Sequence, residues 1–92
     1  MTGPLDASSM VVASYDDALV RDGEMLALVG SEVVLLSELA SALVSYARSG
    51  ASVASLADSL VADFGAPPEA DPIALVSDLV RELLDHGVLR AA

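Results

Sequence analysis

The chain has 92 residues, of which 54% are apolar, and a formal net charge of -10. That length allows one domain, and that apolar share excludes a disordered chain. The absence of Cys excludes disulfides, thiolate zinc sites and cysteine nucleophiles, and 14 acids against four Arg and no Lys disfavour nucleic acid and anionic membranes as partners.

No apolar run approaches the ~20 residues that span a bilayer. Met1 to Ser9 lacks the basic and apolar regions of a secretory signal, so the expected location is the cytoplasm. Residues 1–9 carry Gly, Pro, Ser and one Asp and are expected to be a flexible N-terminal tail. A single domain is expected over residues 10–90. Met10 to Ala13 either begins a strand or leads in.

Ala18 to Leu36 is the most legible stretch. Asp22-Gly23 lies between two apolar segments and suits a two-residue type I′ hairpin loop. Gly30-Ser31, with Gly first, suits type II′. The two turns predict an antiparallel meander of Ala18 to Arg21, Glu24 to Val29 and Glu32 to Leu36. Two-residue loops also set register. Arg21 faces Glu24, an opposite-charge pair worth ~0.2–1 kcal/mol, and Val29 faces Glu32. Val33, Val34, Leu35 and Leu36 make the third strand apolar throughout, so both of its faces are expected to be covered.

Ser37 is an N-cap for a first helix carrying Leu39, Leu43, Tyr46 and Ala47, which Gly50 ends near Arg48 or Ser49. Ser52 caps a second helix. Its Val53, Leu56, Ala57, Leu60, Val61 and Phe64 recur at helical spacing, and Gly65 stops it. Pro67-Pro68 enforces an extended linker. Asp71-Pro72 opens the third helix, which runs to about His86 with Gly87 as its stop. Ile73, Leu75, Val76, Leu79, Val80, Leu83 and Leu84 cover roughly half its circumference, wider than the ~100° stripe that one-sided packing needs. Val88-Leu89 closes the core, and Arg90 onward is tail.

Catalytic chemistry is hard to find. His86, the single histidine, stands at a helix C-terminus, where a capping role suits it. Asp78, Glu82 and Asp85 share a helical face with Arg81, which reads as a solvated, salt-bridged surface. There is no phosphate loop, nucleophile elbow or dinucleotide fingerprint. Asp58-Ser59-Leu60 spells the tripeptide that carries phosphopantetheine in acyl carrier proteins. Here it falls mid-helix, whereas the chemistry needs a serine at an exposed helix start. A winged-helix DNA reader would need a helix with several Arg, Lys, Asn or Gln, and none of the three helices has more than one.

The order of these features resembles the PqqD-like family, the RiPP recognition elements, from about Val12 to Leu89. The resemblance rests on the apolar third strand, on Val53, Leu56, Leu60 and Phe64 in the second helix, and on Leu79, Leu83, Gly87 and Val88-Leu89 at the end. It implies an α+β, winged-helix-like fold: a three-stranded antiparallel β-meander followed by three α-helices. It further implies a peptide chaperone of natural product biosynthesis, with no cofactor, no metal and no catalytic residue. Such a domain captures the leader of a ribosomally synthesised precursor peptide as an added strand. It then presents the peptide to a separate radical-SAM maturase, leader peptidase or cyclase. The implied peptide site is the third strand, Glu32, Val33, Val34, Leu35 and Leu36, with Ile73, Val76, Leu79, Val80 and Leu83 of the third helix. The broad apolar arc of that helix serves either this groove or plain core packing. The expected assembly is a monomer or weak dimer. The alternatives are an acyl or peptidyl carrier with its arm on Ser59, and a small winged-helix regulator.

A duplex DNA of random sequence should show no retardation with micromolar protein at physiological salt, because the net charge is -10 and the four Arg are dispersed. A salt-sensitive gel shift would overturn that expectation.

Overall fold

A computed structural model of the protein describes residues 5–92. It begins with a four-residue strand, β1, Met10–Ala13. Strands β2 (Asp17–Arg21), β3 (Glu24–Val29) and β4 (Glu32–Leu36) follow. Helix α1 covers Glu38–Tyr46 and α2 Val53–Phe64, with the two-residue strand β5, Ala51–Ser52, between them. Helix α3 covers Pro72–Asp85 and strand β6 Leu89–Ala91. The order of a meander followed by three helices is as expected, and the class is α+β.

Both tight turns form as their residues require. Asp22 and Gly23 have φ of 53° and 82°, the two positive values of a type I′ loop. In the second loop only the first residue, Gly30 at 60°, is positive, as type II′ demands. Register follows: Arg21 pairs with Glu24 and Val29 with Glu32. The Arg21–Glu24 pair is in register but does not close into a salt bridge. Among the described residues Arg81 pairs with Asp78, and the His86 ring lies near Glu32. Both Arg21 and Glu24 are exposed, and water competes for each charge.

The strands fall into two sheets rather than one. The meander is β2-β3-β4, and β1 lies between β5 and β6 in a second antiparallel sheet. Arg90 and Ala91 are therefore strand, paired with Val12 and Val11, where a tail was expected. The segment before β1 is also engaged. The carbonyls of Ser9 and Ala7 accept from Val53 and Ala54 at 3.0 Å, satisfying the first amides of α2. Asp6 closes a turn there. The Ser8 hydroxyl, and then the Ser8 N–H, hold the Asp6 carboxyl below the ordinary carboxylate pKa. Of the expected tail, residues 1–4 lie outside the described residues.

Each helix starts on the cap its sequence provides. Ser37 Oγ accepts from the Ala40 N–H, Ser52 Oγ from Ser55 and Asp71 Oδ1 from Ile73. Helix α1 ends at Tyr46, one turn short of Gly50. The Ala47 carbonyl turns away to accept from Ala13 of β1 and from Gly50.

The core is aliphatic and small-residue rich. Ala40, Leu43, Val44 and Ala47 of α1 meet Val53, Leu56, Ala57 and Leu60 of α2 and Val76, Val80 and Leu83 of α3. Met25, Ala27 and Leu36 close it from the meander, and Val11, Val88 and Leu89 from the second sheet. Burying a side chain the size of Leu43 contributes about 1.5–3 kcal/mol.

Beyond α3, Gly87 has φ of 75°, and a Cβ there would lie 3.0 Å from Val29 Cγ1. Backbone conformation and close approach both require glycine. Gly30 also has positive φ, yet faces open space. Gly87→Ala should therefore lower unfolding free energy by about 2–3 kcal/mol, strain plus overpacking, and Gly30→Ala by about 1–2 kcal/mol, strain alone. Urea unfolding of the two variants checks the difference. Equal losses would mean that the Val29 contact relaxes freely.

Candidate peptide-binding groove

Strand β4 is an edge strand of its sheet, since only β3 pairs with it. A two-residue loop makes Val29 and Glu32 a hydrogen-bonded closing pair, and bonded pairs alternate along an antiparallel ladder. Val33 and Leu35 consequently turn their N–H and C=O groups to the open edge. The side chains alternate the other way. Val34 and Leu36 point inward, while Val33 and Leu35 point outward and are 62% and 67% exposed. One face of this strand is thus uncovered, against the expectation for an all-apolar strand. On that side of the meander Leu19, Leu26 and Leu28 are exposed as well.

Beside β4 runs a groove of about 240 Å³. Val34 and Leu36 form one side and Leu79 and Leu83 of α3 the other, with Ala40 of α1 at one end. Glu82 and His86 give it a polar rim. His86 is the C-cap residue of α3: its N–H donates to the Glu82 carbonyl, and the Gly87 N–H donates to the Leu84 carbonyl. Its Nδ1 lies 3.8 Å from Glu32 Oε1, a contact that becomes an ion pair when the imidazole is protonated. His86 thus occupies the C-cap position expected of it, while its ring sits at the groove mouth.

Leu79 belongs as well to a second, more apolar pocket of about 250 Å³. Leu39, Leu60, Phe64, Pro67 and Leu75 contribute to its walls. Gly65 and the prolines carry the α2–α3 linker over this pocket, with a turn at Pro68 and Glu69 where a wholly extended linker was expected, and Phe64 stays partly exposed. The groove and the pocket meet at Leu79.

The candidate residues divide accordingly. Val34, Leu36, Leu79 and Leu83 line the groove, and Leu35 lines it with its backbone at the edge. Glu32 stands at its mouth, and Val33 points to the other face. Val80 is a core residue that lines neither cavity, and Val76, also buried, lines the pocket rather than the groove. Ile73 is exposed in the first turn of α3 and lines neither cavity. The reason is helix rotation. Val76, Val80 and Leu83 centre the buried stripe, and Leu79 lies about 60° to one side at 100° per residue. On that flank a second stripe runs through Leu75, Leu79, Glu82 and His86, at i, i+4, i+7 and i+11. Leu75, Glu82 and His86 were missed as lining residues, and this spacing was the signal that marked them.

Ser59 is mid-helix in α2 and partly buried, next to buried Leu60. Asp78 pairs with Arg81 at 3.3 Å. Among the described residues no helix is long and apolar enough to cross a membrane. Comparison with protein-family models, with characterised proteins and with solved structures finds no match to the chain.

Ser59→Ala should fold as the parent does. The intact mass of the parent after coexpression with a phosphopantetheinyl transferase should be unchanged. An adduct lost in the Ser59→Ala variant would support a carrier protein instead.

Proposed function

We propose that the chain is a non-catalytic binding protein that captures the leader of a ribosomally synthesised precursor peptide by strand addition. The observation that carries this reading is the open edge of β4 beside a groove against α3, with Val34, Leu36, Leu79 and Leu83 on its walls and a polar rim. An extended peptide pairs with the free N–H and C=O groups of Val33 and Leu35, which satisfies an otherwise solvated edge. Peptide residues level with Val34 and Leu36 point the same way as those side chains and meet Leu79 and Leu83. Backbone pairing supplies affinity that tolerates sequence variation, and these alternate side chains supply selectivity.

Two apolar peptide residues fit this geometry, one in the groove and one in the pocket beyond Leu79. Glu32 and Glu82 at the rim favour a peptide with a basic residue beside its anchors. The rest of the precursor stays outside the groove, within reach of a separate radical-SAM maturase, leader peptidase or cyclase.

The test uses the leader of a short precursor peptide encoded beside the gene. Titrating it into isotope-labelled protein should shift the amides of Glu32–Leu36 and of α3. Leu79→Glu should weaken binding by about 1–3 kcal/mol, a typical anchor loss, with circular dichroism unchanged. Shifts confined to the β2–β3 hairpin or to α2, with β4 silent, would remove the groove from the reading.

A further inference from the structure

Two chain periods set the order of residues along the groove. Glu32 opens β4 and shares the inward face with Val34 and Leu36. His86 closes α3 on the flank that carries Leu79 and Glu82. The two ends meet at 3.8 Å, Glu32 Oε1 to His86 Nδ1. From that contact the two rows run side by side in opposite chain directions. Two strand residues advance ~6.6 Å and four helical residues ~6.0 Å. Val34 therefore comes level with Glu82 and Leu83, and Leu36 with Leu79, in keeping with the groove that they line together. The site is graded, apolar at the Leu36 end and charged at the Glu32 end.

We infer, on the peptide reading above, that the groove selects an antiparallel strand with a base two residues after its groove anchor, and that His86 competes with this base for Glu32. An added strand that continues the antiparallel meander keeps period two. Its same-face side chains fall level with Leu36, Val34 and Glu32 in turn. The first two levels take apolar residues, the one at Leu36 reaching toward the pocket beyond Leu79. The third level takes Lys or Arg beside the Glu32 carboxylate, on the side where the imidazole now lies.

This competition has a pH sign. Histidine gains its charge between about pH 8 and pH 5. A neutral imidazole leaves Glu32 to the peptide. A protonated one pairs with Glu32 and repels the base, so affinity for a basic peptide falls as pH falls. Glu82 stands one turn before His86 and keeps an acid at the rim in both states, so binding weakens without being lost. Asp16, from the segment before β2, accepts from the Gly30 N–H at 2.7 Å, and Asp85 precedes His86; neither lines the groove. Among the described residues no Arg lines it either. The side chains of His86 and Glu32 are 49% and 64% exposed, and solvent limits the effect to roughly two- to five-fold.

The probes are two end-blocked peptides, Thr-Leu-Thr-Val-Thr-Arg-Thr and the same chain with Gln in place of Arg. Each is titrated into isotope-labelled protein at about pH 8 and about pH 5.5. Amide shifts of Glu32–Leu36 report binding. At the higher pH the Arg peptide should bind roughly two- to five-fold more tightly than the Gln peptide, and at the lower pH the advantage should shrink. His86→Gln should keep the advantage at both pH values. Glu32→Gln should remove it at both, with circular dichroism unchanged. Equal binding of the two peptides at the higher pH overturns the selection of a base and leaves the groove reading in place. An advantage that survives Glu32→Gln overturns it too. An advantage that still shrinks on acidification in His86→Gln overturns the role of His86. Silence of the β4 amides toward both peptides overturns the groove reading as well.

Discussion

Strand β1 is the constraint on which the other elements depend. Its four residues pair with β5 on one side and β6 on the other. Beyond the ladder, the Ala13 N–H bonds to the Ala47 carbonyl at the end of α1, and the Ser14 N–H to Val88. The Ser14 hydroxyl donates to the Gly87 carbonyl at 2.8 Å. One short segment thus fixes the C-terminal ends of α1 and α3 and the start of α2. These bonds satisfy helix-terminal carbonyls and amides that would otherwise need water. Because α3 is held at Gly87, and Gly87 lies against Val29, the distance from α3 to the meander is set at that point. The width of the groove between β4 and α3 follows from it.

The inward face of the meander sets Ala18 and Ala27 beside Met25 and Leu36, and its outward face carries Leu19, Leu26 and Leu28. Small inward residues let α1 approach the sheet closely, and Ala27 is wholly buried as a result. The meander thus gives Met25, Ala27 and Leu36 to the core and leaves leucines on its outer face. Leu43, Leu56 and Leu89 are among the largest fully buried side chains, and none belongs to the meander.

How much was legible in the chain follows from the range of each interaction. The hairpins depend on two dipeptides, Asp22-Gly23 and Gly30-Ser31, whose φ requirements are local, so strands and register were readable to within one residue. The N-caps Ser37, Ser52 and Asp71 act over three residues and were equally plain. The second sheet was not. Its strands are short, it joins segments near the two ends of the described chain, and Ala51, Ser52 and Ala91 have little strand propensity. The periodicity of α3 was clear, but its rotation was not. Seven apolar positions cover too wide an arc to say which of them faces inward, so Val76 and Val80 were mistaken for groove residues. The exposed face of β4 was hidden for a similar reason. An unbroken run such as Val33 to Leu36 has no alternation to reveal a bare side.

Strand β4 belongs to two surfaces at once. Period-two alternation sends Val34 and Leu36 to the groove and Val33 and Leu35 to the outer face, while the backbone of Val33 and Leu35 forms the open edge. A strand added at that edge would place its own side chains alternately on the same two surfaces. It would lengthen the leucine row that starts at Leu19 as well as fill the groove. Substitutions within β4 disturb the two surfaces together. Leu79 touches only the groove and its neighbouring pocket, and Leu19 only the outer face, two strands away. These two leucines are the positions at which the surfaces separate.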